Sequence, residues 1–217
     1  MNLVAQNAWN KISLLVMLHY AHQKRGIFVD NLRVQKTAFL TELRGRERHL
    51  KAAYYEFFRC KLGPFSKGLA NDVASLELLG FIDSESRELT ERGKYLCRYV
   101  KPEIEKSASA KEAIEIAKAI GDSLRTLSSP RIVNKVYAMC VPVDGMGNRV
   151  VRIQDIPLNT DILIPNRDII SRDVDALSDD LGEEIEAELS ISPLALDPTS
   201  EAFQLSVESS LRSALVN

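Results

Sequence analysis

Between Val34 and Gly93 the chain is punctuated so closely that few folds accept it. Gly63-Pro64 halts any regular element before it, Ser66 is a good helix N-cap, Gly80 suits the left-handed residue just past a helix end, and Thr90 is a second N-cap. The spacing predicts a helix over 67–79. Within it Leu69, Val73 and Leu76 recur at i, i+4 and i+7 as one apolar stripe, while Lys67, Asn71, Asp72 and Ser75 lie off it. Phe81-Ile82 and Arg87-Glu88-Leu89 then flank Asp83-Ser84-Glu85-Ser86, a polar cluster of hairpin length. After Thr90 a further helix can pack Tyr95, Leu96 and Tyr99 back on the rest. The predicted order is helix, wing, helix.

Four pieces of this stretch carry a resemblance. Gln35-Lys36, Gly63-Pro64-Phe65-Ser66, Leu79-Gly80-Phe81-Ile82 and Leu89-Thr90-x-x-Gly93 stand in the order and spacing of the Panacea-type, SocA/YwgA-like family of prokaryotic and phage-associated proteins. The chain is similar to that family over roughly residues 10–100. Leu62 stands where an aromatic commonly precedes Gly-Pro, and Arg87 where a Tyr often opens the last strand. The resemblance implies a winged-helix-like core and a role as antitoxin, regulator or adaptor.

Upstream, Trp9, Ile12, Leu15, Val16, His19 and Tyr20 fit one helical face over about 7–23, closed by Lys24-Arg25-Gly26. Ile27-Phe28-Val29 reads as a short extended link. Asp30 or Asn31 caps a second helix with Leu32, Val34, Ala38, Phe39 and Leu43 inward and Gly45 as its stop. Next, Arg44, Arg46, Arg48, Lys51, Arg59 and Lys61 interleave with Tyr54, Tyr55, Phe57 and Phe58. Aromatics between cations are what a single-strand nucleic-acid groove uses. Alternating aromatics leading into Gly63-Pro64 also describe a core-facing strand, and that is the stronger reading.

Downstream, Ser109-Ala110-Lys111-Glu112 reads as a capping box, and Ile114, Ala117, Ile120, Leu124 and Leu127 form a narrow seam. The seam is too short for a persuasive coiled coil, so packing within the chain is favoured over a homodimer. Ser129-Pro130 starts a helix through Ile132, Val133, Val136, Tyr137 and Cys140. Asp144-Gly145-Met146-Gly147-Asn148 is a turn, since it lacks the strand-to-helix setting and the Lys-Ser/Thr of a phosphate loop. Segments 149–153 and 161–165 read as extended.

The chain is electrically polarised along its 217 residues: 1–101 holds 17 Lys and Arg against 10 Asp and Glu, whereas 166–217 holds 3 against 12. That is a net +7 followed, after a balanced middle, by a net −9. Such asymmetry is an argument about partners rather than fold. The acidic stretch carries two apolar edges. One comprises Val174, Leu177, Leu181, Ile185 and Leu189, the other Phe203, Val207, Leu211 and Leu215. Of these, Leu177, Leu181, Ile185, Phe203, Val207 and Leu211 are the expected partner-binding anchors.

No secretory leader is read in 1–10, and 12–20 is too short an apolar run to span a bilayer, so the expected location is the cytoplasm, away from membrane. Cys60, Cys97 and Cys140 suggest neither a disulfide framework nor a zinc pattern and read as buried free thiols. His19 and His22 have metal-compatible spacing, yet no Asp, Glu or Cys completes a set; Cys60 near His49 lacks an orienting group; Ser66 lacks a nucleophile elbow. No catalytic residue, metal or cofactor is expected.

The resulting fold class is mainly α with a small β-hairpin wing: a winged-helix-like core over 1–101, a helical connector with short extended segments over 102–165, and an acidic amphipathic helical tail over 166–217. Two functions compete. The first is an antitoxin-like regulatory or adaptor protein whose tail engages a protein partner, such as a basic toxin or a protease or complex subunit. The second is a winged-helix DNA-binding transcriptional regulator placing Lys67, Asn71 and Ser75 toward the major groove and Arg44, Arg46, Arg48, Lys51 and Arg87 toward phosphates, and the runner-up to the first is a non-DNA-binding protein-interaction subunit of a larger complex. Against DNA, the reading helix also carries Asp72 and Glu77, and the wing turn carries Asp83 and Glu85.

Overall fold

The structure, a computed structural model, describes residues 3–21, 30–143 and 149–164. The described residues are mainly helical with a small antiparallel sheet. Helix α1 (Leu3–Ala21) is the hub. Trp9, Ile12 and every residue from Leu14 to Leu18 are buried, so its apolar surface runs most of the way round rather than along one stripe. A helix of that kind needs neighbours on several sides. It finds them in α3 (Lys67–Leu78), α4 (Glu91–Lys106) and α5 (Ala108–Arg125). No described helix is long and apolar enough to cross a membrane.

Helix α2 (Asn31–Glu47) starts where Asp30 Oδ1 accepts the Arg33 amide at 2.7 Å. Its expected stop, Gly45, lies inside the helix. The Gly45 carbonyl accepts the Arg48 and Leu50 amides, and the reversal falls to His49 at φ 57°. An added Cβ on Gly45 would sit 3.1 Å from the Leu50 carbonyl oxygen, so the glycine allows the chain to fold back closely. Arg33 donates to the Leu124 and Leu127 carbonyls at 3.0 and 2.7 Å, satisfying the C-terminal end of α5 from outside.

Strand β1 (Phe57–Cys60) pairs antiparallel with β2 (Gly63–Phe65) through a two-residue turn in which Cys60 faces Gly63. Its other edge pairs with β5 (Asp161–Leu163), giving the order β2-β1-β5. Strands β3 (Cys140–Val143) and β4 (Arg149–Arg152) form a second antiparallel pair. Tyr55, Phe57 and Arg59 point inward and Phe58 is half-buried, which is the core-facing strand alternation.

Gly63-Pro64, expected as a break, instead open strand β2, while the punctuation from Ser66 to Thr90 acts locally as expected. Ser66 Oγ accepts the Leu69 amide, α3 ends one residue early at Leu78, Gly80 takes φ 72°, and Thr90 Oγ1 accepts the Gly93 amide to open α4. In place of the expected two-stranded wing hairpin, the 81–89 segment forms one bridge, Ile82 to Leu89. Asp83 Oδ1 accepts from the Ser86 amide and hydroxyl, and Arg87 turns left-handed at φ 59°, so the turn uses the residues a longer ladder would need.

Helix α4 runs through Pro102, and α5 follows after Ser107 alone. The N-cap of α5 is therefore Ser107, whose hydroxyl accepts the Ala110 amide, and not the capping box at Ser109. Helix α5 presents Ala110, Ala113, Ala117 and Gly121, small residues that let it approach α1 and α2, while Ile114, Ile120 and Leu127 are half-buried. Helix α6 (Ser129–Tyr137) follows, shorter than the expected run to Cys140, which instead opens β3. Of the three thiols only Cys97 is buried, its pKa pushed up to about 12 by burial; Cys60 is half-buried and Cys140 exposed, correcting the expectation that all three are inside. One hydrophobic core contains residues from both sides of Pro102, from Trp9 and Phe39 to Ile132, Val141 and Ile162.

Candidate functional site

The two short motifs that stand 28 residues apart in sequence meet in space. Gln35 Nε2 donates to the Ser66 carbonyl at 3.0 Å, and Gln35 Oε1 accepts the Ser66 amide at 2.9 Å. Next to it Lys36 Nζ donates to the Pro64 carbonyl at 2.6 Å. All three polar side chains of Gln35, Lys36 and Ser66 are buried. Burial lowers the Lys36 pKa to about 8, with Arg59 adding to the effect and Cys60 opposing it. An added Cβ on Gly63, at φ 94°, would touch Lys36 Nζ and Tyr137 Cε1, both at 3.3 Å, so the hairpin must carry glycine there. Arg59 completes the cluster: its Nε donates to the Ile153 carbonyl at 3.0 Å and its guanidinium lies 4.5 Å from the centre of the Tyr137 ring. These polar groups hold α2, the β1–β2 hairpin and the start of α3 in one relation.

That lock fixes the start of α3, and the 81–89 turn follows from its end. The outward side of α3 carries Lys67, Asn71, Ala74 and Leu78, all exposed, while Ser75 is half-buried. Lys67 Nζ lies 5.7 Å from the Phe58 ring centre. Arg87 reaches back from the turn after α3 and donates to Glu77 of α3, so these two charges compensate each other. Asp72 accepts the Tyr55 hydroxyl at 2.9 Å, and the Tyr55 pKa is raised by burial first and by Asp72 second. Arg92 donates to the Leu79 carbonyl and stacks 4.3 Å from the Phe81 ring, closing the C-terminal end of α3.

The remaining basic candidates lie at the far end of α2. Arg44 pairs with Glu47 at 2.7 Å and Arg48 with Glu112 at 2.8 Å, all four exposed. Arg46 is half-buried. Lys51 is buried, its Nζ 4.6 Å from the Tyr54 ring centre. Lys67, Asn71 and Ser75 recur at i, i+4 and i+8 on α3, whereas Arg87 lies against Glu77 beside Ala70 and Ala74 on another side of that helix; Arg44, Arg46, Arg48 and Lys51 lie separately around the end of α2. His22 and the anchors Leu177, Leu181, Ile185, Phe203, Val207 and Leu211 lie outside the described residues, as do Ile27-Phe28-Val29 and Asp144–Asn148. The pKa of His19 is lowered, first by burial and then by Arg98, Lys94 and Lys101. No group of three or more His, Cys, Asp or Glu able to hold a metal occurs among the described residues.

Sequence reasoning missed Glu42. It is buried in the middle of α2, and its pKa is raised well above the usual carboxylate range by burial, with the Ala53 amide and Lys51 opposing. A signal was present: 35, 38, 39 and 42 fall at i, i+3, i+4 and i+7, so this acid occupies a core position of its helix. Comparison with protein-family models, with curated proteins and with solved structures returns no match.

Proposed function

We propose that this chain is an antitoxin-like regulatory or adaptor protein, in which α3 and its wing form a docking face on a winged-helix-like core and the acidic 166–217 stretch engages a basic protein partner. The outward face of α3 carries this reading. Lys67 is its sole cation; Asn71, Ala74 and Leu78 are uncharged, and Leu78 is 79% exposed. A helix that lies in a DNA groove needs cations directed at phosphates. Here the wing's Arg87 is engaged by Glu77, and Arg44 and Arg48 each face a carboxylate. The same uncharged, partly apolar face suits a protein partner, whose interface core is depleted in charge. The net −9 of 166–217 adds steering toward a basic partner, and the apolar anchors there supply the short-range attraction that survives salt screening beyond about 8 Å.

A photo-crosslinking amino acid placed at Leu78 of the full chain, in the cells that express it, tests the reading. The expected product is a protein adduct of defined mass whose yield falls when 166–217 is deleted. A nucleic-acid adduct would establish the DNA-binding regulator instead, and no adduct at all would remove α3 as a docking face.

A further inference from the structure

Helices α1, α2, α4 and α5 and the 52–55 segment line a partly open pocket that includes Trp9, Leu14, Met17, Ala38, Ala113 and Ala117, with a volume of about 50 Å³. Two polar groups in its lining, Ser13 Oγ and Glu42 Oε1, are buried and have no hydrogen-bond partner among the described residues. A buried polar atom left unsatisfied costs about 1–3 kcal/mol, so two in one apolar pocket call for an occupant that pairs with both. The volume admits a molecule of roughly three to five heavy atoms, at about 10–15 Å³ for each water-sized group.

We propose that this pocket is a binding site for a small neutral amphiphile, an alcohol-like molecule whose short apolar body packs on Trp9 and the alanines of α5 while its oxygen accepts from Glu42 and donates to Ser13. Burial raises the Glu42 pKa well above the usual carboxylate range, against the Ala53 amide and Lys51, and so favours the protonated carboxyl that this ligand requires. Its second oxygen accepts the Ala53 amide, which leaves Oε1 as the oxygen that would meet the ligand. The charged and titratable groups around it are few. Lys51 opposes the shift, and Tyr55 lines the pocket with its hydroxyl committed to Asn10 and Asp72. The lining residues from α1, α4 and α5 include no titratable side chain. An ammonium ligand would require Glu42 to ionise, which this pocket opposes.

Trp9, the single tryptophan of the chain, lines the pocket and reports occupancy directly. The experiment titrates the full-length protein with 1-butanol, and in parallel with butylammonium, following Trp9 emission at concentrations that leave the circular dichroism unchanged. Saturable binding of butanol is expected, weakening as pH rises through the titration of Glu42. Ser13→Ala should weaken it roughly fivefold, the fold-change of one ordinary hydrogen bond. Glu42→Gln retains a donor and should bind without that pH dependence. Ala113→Leu fills the pocket and should abolish the signal while the melting temperature holds. No saturable change, a change that persists in Ala113→Leu, or tighter binding of butylammonium than of butanol at neutral pH would each overturn the proposal.

Discussion

Lys36 is a buried cation held by a single backbone carbonyl, and that makes the stability of the whole core depend on pH in an unusual direction. Its pKa falls from the ordinary 10.5 to about 8 in the folded chain, chiefly by burial. Below pH 8 the group is protonated in both states, and folding bears the full desolvation of an ammonium. Between about 8 and 10.5 the unfolded chain binds more protons than the folded one, so stability rises with pH across this window. At about 1.4 kcal/mol per pH unit, the difference between pH 7 and pH 10 amounts to roughly 2.5 kcal/mol. The perturbation is Lys36→Met, which keeps the length and apolar stem and removes the titrating group. Urea unfolding of both proteins at pH 7 and pH 10 isolates the effect, because other titrating groups are common to both. The wild-type chain should gain about 2.5 kcal/mol more than the variant between the two pH values. Parallel pH dependences would refute the assignment of Lys36 as a buried, depressed lysine, and with it the lock between α2 and the β1–β2 hairpin.

Gly93→Ala places a Cβ 2.3 Å from the Phe81 carbonyl oxygen, a backbone atom that cannot step aside cheaply, and should destabilise by about 1–3 kcal/mol in thermal melts. Gln35→Ala removes two reciprocal hydrogen bonds and leaves the Ser66 amide buried without an acceptor, so a loss of about 2–4 kcal/mol in urea unfolding is expected. Arg48→Ala, by contrast, breaks an exposed pair with Glu112 and should change stability by less than about 1 kcal/mol, checked in the same assay at low and high salt.

Much of the region from Ser66 to Gly93 is legible in the sequence because its determinants are local. Ser66 and Thr90 each satisfy an amide three residues on, and Gly80 reverses the chain at a conformation other residues resist. The stripe of Leu69, Val73 and Leu76 is buried as its period requires. Local rules fail where two solutions are equally good nearby and packing chooses. Ser107 and Ser109 could each cap a helix; Ser107 does so because α4 ends at Lys106 and leaves no room for a longer linker. Gly45 could stop α2, yet the helix continues and the glycine serves the close return of Leu50. The second partner of β1 comes from Asp161–Leu163, about a hundred residues away, which no local pattern encodes.

The candidate sites divide in the same way. That 1–101 is basic and 166–217 acidic follows from counting alone, since net charge is a sum over residues wherever they lie. Whether a given cation is available to a partner is a question of distance. Glu77 engages Arg87, Glu112 faces Arg48 across 64 positions, and burial claims Lys51. The pairing of Gln35 and Lys36 with Pro64 and Ser66, and the enclosure of Glu42 with Ser13 and Trp9, likewise arise only when separate helices close on one another. Desolvation, which shifts Lys36 and Glu42 in opposite directions, is a property of the packed core and has no counterpart in the linear chain.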